Sequence, residues 1–486
     1  MPDATPERIL RDVFRHAGFQ GNQRAIIDRT LAGNHSLVLM PTGGGKSLCY
    51  QLPALLLDGL TIVLSPLIAL MKDQVDALTR RGIDATFINS SLTKEQRQAR
   101  EAAIAAGDFK LLYVTPERFG KPDFRAAIAQ RTIPLLAIDE AHCVSQWGHD
   151  FRPDYTRVGE IRQLLGCPPT LALTATATRA VQQDIIRQLD LEPDQVQLFH
   201  EGIDRPNLSL AVTEVWGEDD KLRQLLDILP PPAAAETPVG SHIVYFTLIK
   251  TLERFSGLLE AEGRPHGVYH GSLNPRERKR MQEAFLSGAA RLVLATNAFG
   301  MGIDKPDIRT VTHAEVPGSL ESYYQEIGRA GRDGLPSCCT LLYDQHDLPM
   351  LMEFIRWANP DADFYRRVHH ALEHDLERVN AFGLDWLNEQ LLGRQARHDH
   401  RLESALLMLE RHGTIDRGRP AAGGRQQLQL HGDLPASLAD DEALAAKLRR
   451  DQEKLLAMVE YARCDSDRKK FLADYFLGGQ AEEPTE

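Results

Sequence analysis

The sequence predicts an α/β protein: two tandem parallel-sheet domains followed by a small, mainly helical region. Three observations lead there. Short uninterrupted apolar runs alternate with helical runs over the first two hundred residues, a second such series begins near residue 242, and the strand signal fades after about residue 345. Apolar runs without polar alternation fit strands buried on both faces, as in parallel sheets covered by crossover helices.

In the first series, SLVLM (36–40), TIVL (61–64), KLLYV (110–114), LLAI (135–138) and TLAL (170–173) are the expected strands. Residues 67–80 carry apolar side chains at helical spacing, with Gly82 just beyond as a stop. In the second, they are HIVYF (242–246), GVYH (267–270), RLVLA (291–295) and TVTHAEV (310–316). The stretch PPPAAAETPVGS (230–241) has the composition of an exposed loop, and the hinge is placed earlier, near 203–207. Residues 363–377 and 401–411 read as helices. Residues 401–430 outline a helix, a turn and two short strands around RPAAGGRQQ, as in a small winged helix-turn-helix. A charged amphipathic helical region covers 447–476, and GGQAEEPTE reads as a disordered tail. The expected division is 1–205, 206–345, 346–478 and 479–486.

A chain of 486 residues can bury two or three cores. No apolar run is long enough to span a bilayer, and the start lacks a basic stretch followed by an apolar one. A cytoplasmic protein without membrane association is expected. The six cysteines form no C-x-x-C pair, so they read as buried thiols rather than a disulfide framework or metal cluster. The net charge of −12 weighs mildly against nucleic acid, although it does not report local patches.

MPTGGGKS (40–47) follows a strand and opens a helix. Thr42, Gly43, Gly44 and Gly45 let backbone N–H groups converge on phosphate oxygens at a helix N-terminus. Lys46 would pair with the β- and γ-phosphates of ATP, and the Ser47 hydroxyl would ligate Mg²⁺. IDEAH (138–142) ends another apolar strand. There Asp139 suits Mg²⁺ and Glu140 suits the attacking water.

These two elements resemble the helicases of superfamily two, and further segments resemble the RecQ family. FQGNQ (19–23) matches the family's nucleotide-reading segment, with Gln23 at the adenine-reading position and Gln20 where the family usually has arginine. SPLIALMKDQV (65–75) and VTPER (114–118) match motifs that follow the DNA backbone, implying Ser65, Pro66 and Thr115 as contacts. CVSQWGHDFRPDY (143–155) resembles the family's aromatic-rich loop, LTATAT (173–178) the motif linking hydrolysis to movement, and ATNAFGMGIDKPDIR (295–309) and QEIGRAGRDG (325–334) are near-complete matches. The resemblance spans roughly the first 345 residues. It implies two RecA-like domains, an accessory winged helix, and an ATP-dependent DNA helicase moving 3′ to 5′ in repair and recombination.

On that reading Gln325, Arg329 and Arg332 share one face of a helix over 319–332 and reach across a cleft to the γ-phosphate. Gly302 and Asp304 line the same cleft. Trp147, His149, Phe151 and Arg152 stack on unpaired bases, and His270, Thr296 and Asn297 contact the phosphate backbone. RERKR (276–280) reads as a solvated helix face. KLLAMVEYARCDSDRKKFLADYFLG (454–478) resembles the helical hairpin that opens the family's zinc module, but only Cys464 is present, so no zinc is expected. The expected partners are single-stranded and partially duplex DNA, and the expected state is a monomer. An RNA helicase of the DEAD/DEAH group, or a DNA-binding ATPase with little unwinding activity, stays open as an alternative.

Overall fold

The computed structural model describes residues 5–41, 43–145, 152–230, 240–300, 303–393, 399–418 and 427–478. The chain divides into two compact units, Met1–Asp344 with Tyr461–Glu486, and Gln345–Glu460.

The first unit holds two parallel sheets. Strands β1 (His35–Leu39), β2 (Thr61–Leu64), β3 (Ala85–Ile88), β4 (Leu111–Val114), β5 (Leu136–Ile138), β6 (Thr170–Thr174) and β7 (Val196–His200) lie in the order β3-β4-β2-β5-β6-β1-β7. Alternate side chains leave opposite faces. Val38, Val63, Tyr113 and Ala137 enter one core, and Leu37, Ile62, Leu112 and Ile138 enter the other. Burial on both faces is why these strands are apolar throughout. Strands β8 (Leu208–Glu214), β9 (Ser241–Tyr245), β10 (Gly267–Tyr269), β11 (Leu292–Ala295), β12 (Ile308–His313) and β13 (Ser337–Tyr343) form the second sheet, in the order β10-β11-β9-β12-β13-β8.

Three expectations change here. The helix expected over 319–332 is Leu320–Ile327, capped at Gly328, so Arg329 and Arg332 sit in the turn that follows it. Gly331, at φ 56°, takes the chain out of the helical path. The end of the expected accessory region belongs instead to the first unit. Tyr461 and Phe476 are buried there, their rings packing against Tyr323 and Tyr324. That apolar contact, with Tyr461 Oη donating to Tyr323 Oη at 3.1 Å, fixes where residues 461–477 fold. The thiols also differ from expectation: none of the six is in a disulfide, but Cys167 is exposed and Cys338 and Cys464 are half-exposed.

The second unit packs Phe364, Val368, Leu372, Leu402, Leu406 and Leu409 into its own core. Helix Arg401–Arg411 leads into an antiparallel pair, β14 (Ile415–Arg417) and β15 (Leu428–Leu430). This is the helix-and-two-strand outline read from the sequence. The turn over 419–426 and the tail beyond 478 lie outside the described residues. No described helix is long and apolar enough to cross a membrane.

Candidate nucleotide site and arginine turn

Loops leaving the carboxyl ends of parallel strands converge at one edge of a sheet, where open α/β sheets receive ligands. The glycine-rich loop leaves β1 and the Asp139–Glu140 pair leaves β5, with β6 between them. Two strand spacings, about 10 Å, separate them, a distance that a lysine side chain and a phosphate chain can span.

Gly43 and Gly45 have φ of 86° and 78°, a left-handed backbone open to glycine. The loop is closely packed. Gln23 Nε2 donates to Gly44 O at 3.0 Å, and Gln23 Oε1 accepts from the Gln20 N–H at 2.9 Å. Buried and bonded at both ends, Gln23 braces the loop from below. Lys46 and Ser47 are half-buried at the mouth of helix Leu48–Leu56. Thr42 lies outside the described residues.

Asp139 is buried. Burial first, and the Glu140 charge second, push its carboxyl up to about 7, while Lys46 and a hydrogen bond from the Glu140 N–H oppose the shift. A buried carboxylate beside a half-buried one, with one nearby ammonium, fits a divalent cation, whose charge would complete the neutralisation. Glu140 stands at φ 51°, which a non-glycine residue adopts at a cost of ~1–3 kcal/mol. Its Oε2 atom is buried without a hydrogen bond, 3.4 Å from His142 Nδ1. His142 Nδ1 is also 3.0 Å from Thr174 Oγ1, in the LTATAT segment. Thr174 in turn accepts from the Thr176 N–H and donates to Thr176 O. His142 and Thr174 were not singled out by sequence reasoning, although both lie inside quoted motifs; their meeting depends on β5 and β6 being neighbours.

Arg332 crosses to this loop. A Cβ on Gly43 would stand 3.3 Å from Arg332 Cγ, so the arginine side chain lies against the glycine-rich loop. Its Nη1 donates to Asp304 Oδ1 at 2.6 Å, and its Nε is buried without a partner. Burial disfavours the Arg332 charge and Asp304 supports it. Arg329 donates to Gly300 O, and its Nε is likewise buried and unpaired. Gln325 is half-buried on the preceding helix, and Gly302 lies outside the described residues.

The expected DNA contacts fall into two adjacent pairs. Ser65 and Thr115 follow the paired strands β2 and β4, and His270 and Thr296 follow β10 and β11. Their side chains, and Pro66, are buried; Asn297 alone of this group is exposed. Arg152 donates to Pro66 O at 2.8 Å, tying the start of the aromatic loop's exit to that edge. Trp147, His149 and Phe151 lie outside the described residues.

The model of the DEAD/DEAH box helicase domain matches residues 20–184, and that of the helicase conserved C-terminal domain matches 220–334. The chain is 38 % identical over 374 residues to the probable ATP-dependent DNA helicase RecS of Bacillus subtilis, a match covering 76 % of this chain and 73 % of the relative. It is 43 % identical to the ATP-dependent DNA helicase RecQ of Haemophilus influenzae, over 77 % of this chain and 58 % of that one. The chain belongs to the RecQ helicase family. It spans only about 58 % of the length of that RecQ and of the Bacillus subtilis RecQ, to which it is 43 % identical over 351 residues. Among solved structures, Mycobacterium smegmatis helicase Lhr bound to single-stranded DNA and AMP-PNP aligns with a TM-score of 0.55 at 20 % identity, over 92 % of this chain and 62 % of that one. Dbp5 of S. cerevisiae aligns at 0.56 and 18 % identity, over 73 % of this chain and 91 % of that one. Both share the two-sheet fold of this RecQ-family chain.

Proposed function

We propose that this chain is an ATP-driven DNA translocase and helicase, moving 3′ to 5′ on single-stranded and partially duplex DNA in repair and recombination. One observation carries the reading: Arg332, from the second sheet's domain, lies against Gly43 of the loop that would cradle ATP, and Lys46 of that loop acts on the charge of Asp139 beside Glu140. Lys46 pairs with the β- and γ-phosphates, and Glu140 orients the attacking water. Arg329 and Arg332 neutralise charge as the γ-phosphoryl leaves, a role worth roughly 10³–10⁵ in rate. Mg²⁺, held by Ser47 and Asp139, would supply Lewis-acid stabilisation of the phosphate oxygens. Because the arginines and the loop lie in different domains, nucleotide turnover alternately tightens and loosens the cleft and advances a strand bound along the sheet edges.

The test is strand displacement on duplexes with a 3′ or a 5′ overhang, with ATP, alongside ATPase with single-stranded DNA or RNA and a Glu140→Gln control. Unwinding from the 3′ overhang alone, lost in the control, supports the reading. Stimulation by RNA and not by DNA overturns it in favour of an RNA helicase, and DNA-stimulated ATPase without displacement reduces it to a translocase.

A further inference from the structure

The segment joining the two sheets is not slack. Glu201 is fastened to the first domain, its N–H donating to Leu39 O at 3.1 Å and its carboxylate accepting from the Asn22 N–H. From Ile203 onward the chain is fastened to the second. Tyr324 Oη donates to Ile203 O at 2.8 Å. Arg205 Nη2 donates to Ala330 O at 2.9 Å and Gly331 O at 3.0 Å, its Nη1 reaches Gly328 O at 3.4 Å, and Asn207 Nδ2 donates to Gly331 O at 2.8 Å. These carbonyls belong to the turn that carries Arg329 and Arg332. A planar guanidinium with fixed donors suits three carbonyls at the end of a helix, where the dipole also favours positive charge. Arg205 is itself held: Lys469 Nζ, on helix Arg468–Leu477, donates to Arg205 O at 2.8 Å and pairs with Asp204 Oδ1 at 3.1 Å.

We propose that Arg205 is a positioning residue for the Arg329–Arg332 turn, and that the C-terminal helix fixes it there through Lys469. The inference rests on the ATPase reading above. One face of the turn gives its carbonyls to Arg205 while the other sends Arg332 to the phosphate loop, so loss of Arg205 lets the turn relax and withdraws both arginines from the γ-phosphate. The pivot between domains then falls on Gly202, at φ 70°, between the two fastened ends.

Steady-state ATPase with single-stranded DNA is measured for Arg205→Ala, Arg205→Lys and Lys469→Ala, each also in an Arg332→Ala background, with thermal melts. Misplacement of a catalytic group by an ångström can cost about 10²-fold, so Arg205→Ala is expected to lower kcat roughly 10- to 100-fold with little change in KM for ATP. In the Arg332→Ala background its effect shrinks, because one of the two groups it positions is gone. Arg205→Lys recovers part of the loss, and Lys469→Ala gives a smaller one. Equal loss in both backgrounds, or an unchanged kcat, overturns the proposal. Amide hydrogen exchange over 328–337 supplies a readout independent of turnover. Faster exchange in Lys469→Ala at an unchanged melting temperature supports the clamp, and unchanged exchange overturns it. A wild-type chain without ATPase would sink the functional reading while leaving that exchange result to decide the clamp.

Discussion

Gly43→Ala isolates the meeting of the two domains. At φ 86° an alanine is strained, by about 1–2 kcal/mol for a left-handed residue. Its methyl would also stand 3.3 Å from Arg332 Cγ, so the loop or the arginine must shift by a few tenths of an ångström. Without nucleotide the loop can relax away and shed much of this strain. With nucleotide it must return, because its N–H groups have to face the phosphates. The strain therefore appears as lost affinity, and 1–2 kcal/mol corresponds to roughly a 5- to 30-fold weaker Kd for ATP. Titration with a fluorescent ATP analogue measures this directly. Gly33→Ala is the control: φ there is 80°, but the nearest atom to its Cβ is Pro169 Cγ at 3.9 Å, away from the site. It should lower the melting temperature and leave ATP affinity alone. Equal affinities for Gly43→Ala and wild type would refute the placement of Arg332 against a phosphate-binding loop.

Arg329→Ala and Arg332→Ala should each lower kcat about 10³-fold or more with ATP binding nearly intact, in ATPase and nucleotide-titration assays. Asp139 gives a pH dependence. Its folded pKa is raised, so its neutral form favours the nucleotide-free protein and that stability is lost as pH rises from 3.8 through about 7. Mg²⁺ needs the ionised form, so Mg²⁺ affinity should climb across the same window, and titrations in which Asp139→Asn keeps the slope would refute this. Phe476→Ala should destabilise the first unit by about 3–5 kcal/mol in denaturant melts, since its ring is buried against Tyr324. Trp147→Ala should reduce DNA-stimulated ATPase far more than DNA-independent ATPase; equal loss of both would end the stacking role proposed for it.

What the sequence made legible follows from burial. The strands read from apolar runs, such as TIVL and LLAI, are β2 and β5, central in their sheet and buried on both faces. The strands β3, β7 and β8, which went unread, are sheet edges. In VQLFH, β7, only Phe199 is buried, so no continuous apolar run exists to be seen. Strand β13, SCCTLLY, is internal but begins with small polar and sulfur side chains that resemble a loop. Helix Arg401–Arg411 was readable to the residue because apolar spacing and polar flanks coincide there. The helix after Ser319 was overextended because Arg329 and Arg332 continue its helical spacing; only the backbone, turning at Gly328 and Gly331, separates them from it.

The site shows the same division between local and long-range information. Each motif announces its own chemistry, because a glycine-rich loop or a paired carboxylate is written in consecutive letters. What joins them is not consecutive. His142 meets Thr174 across 32 residues, and Arg205 holds a turn more than 120 residues later. One link joins His142, two residues after Glu140, to the end of β6, and the other joins the arginine turn to the interdomain segment through Arg205. On the function proposed above, such attachments would let hydrolysis be felt beyond the phosphates. Residues that transmit it are therefore expected where two distant segments share a polar contact, and His142 with Thr174 and Arg205 with the arginine turn are two such places among the described residues.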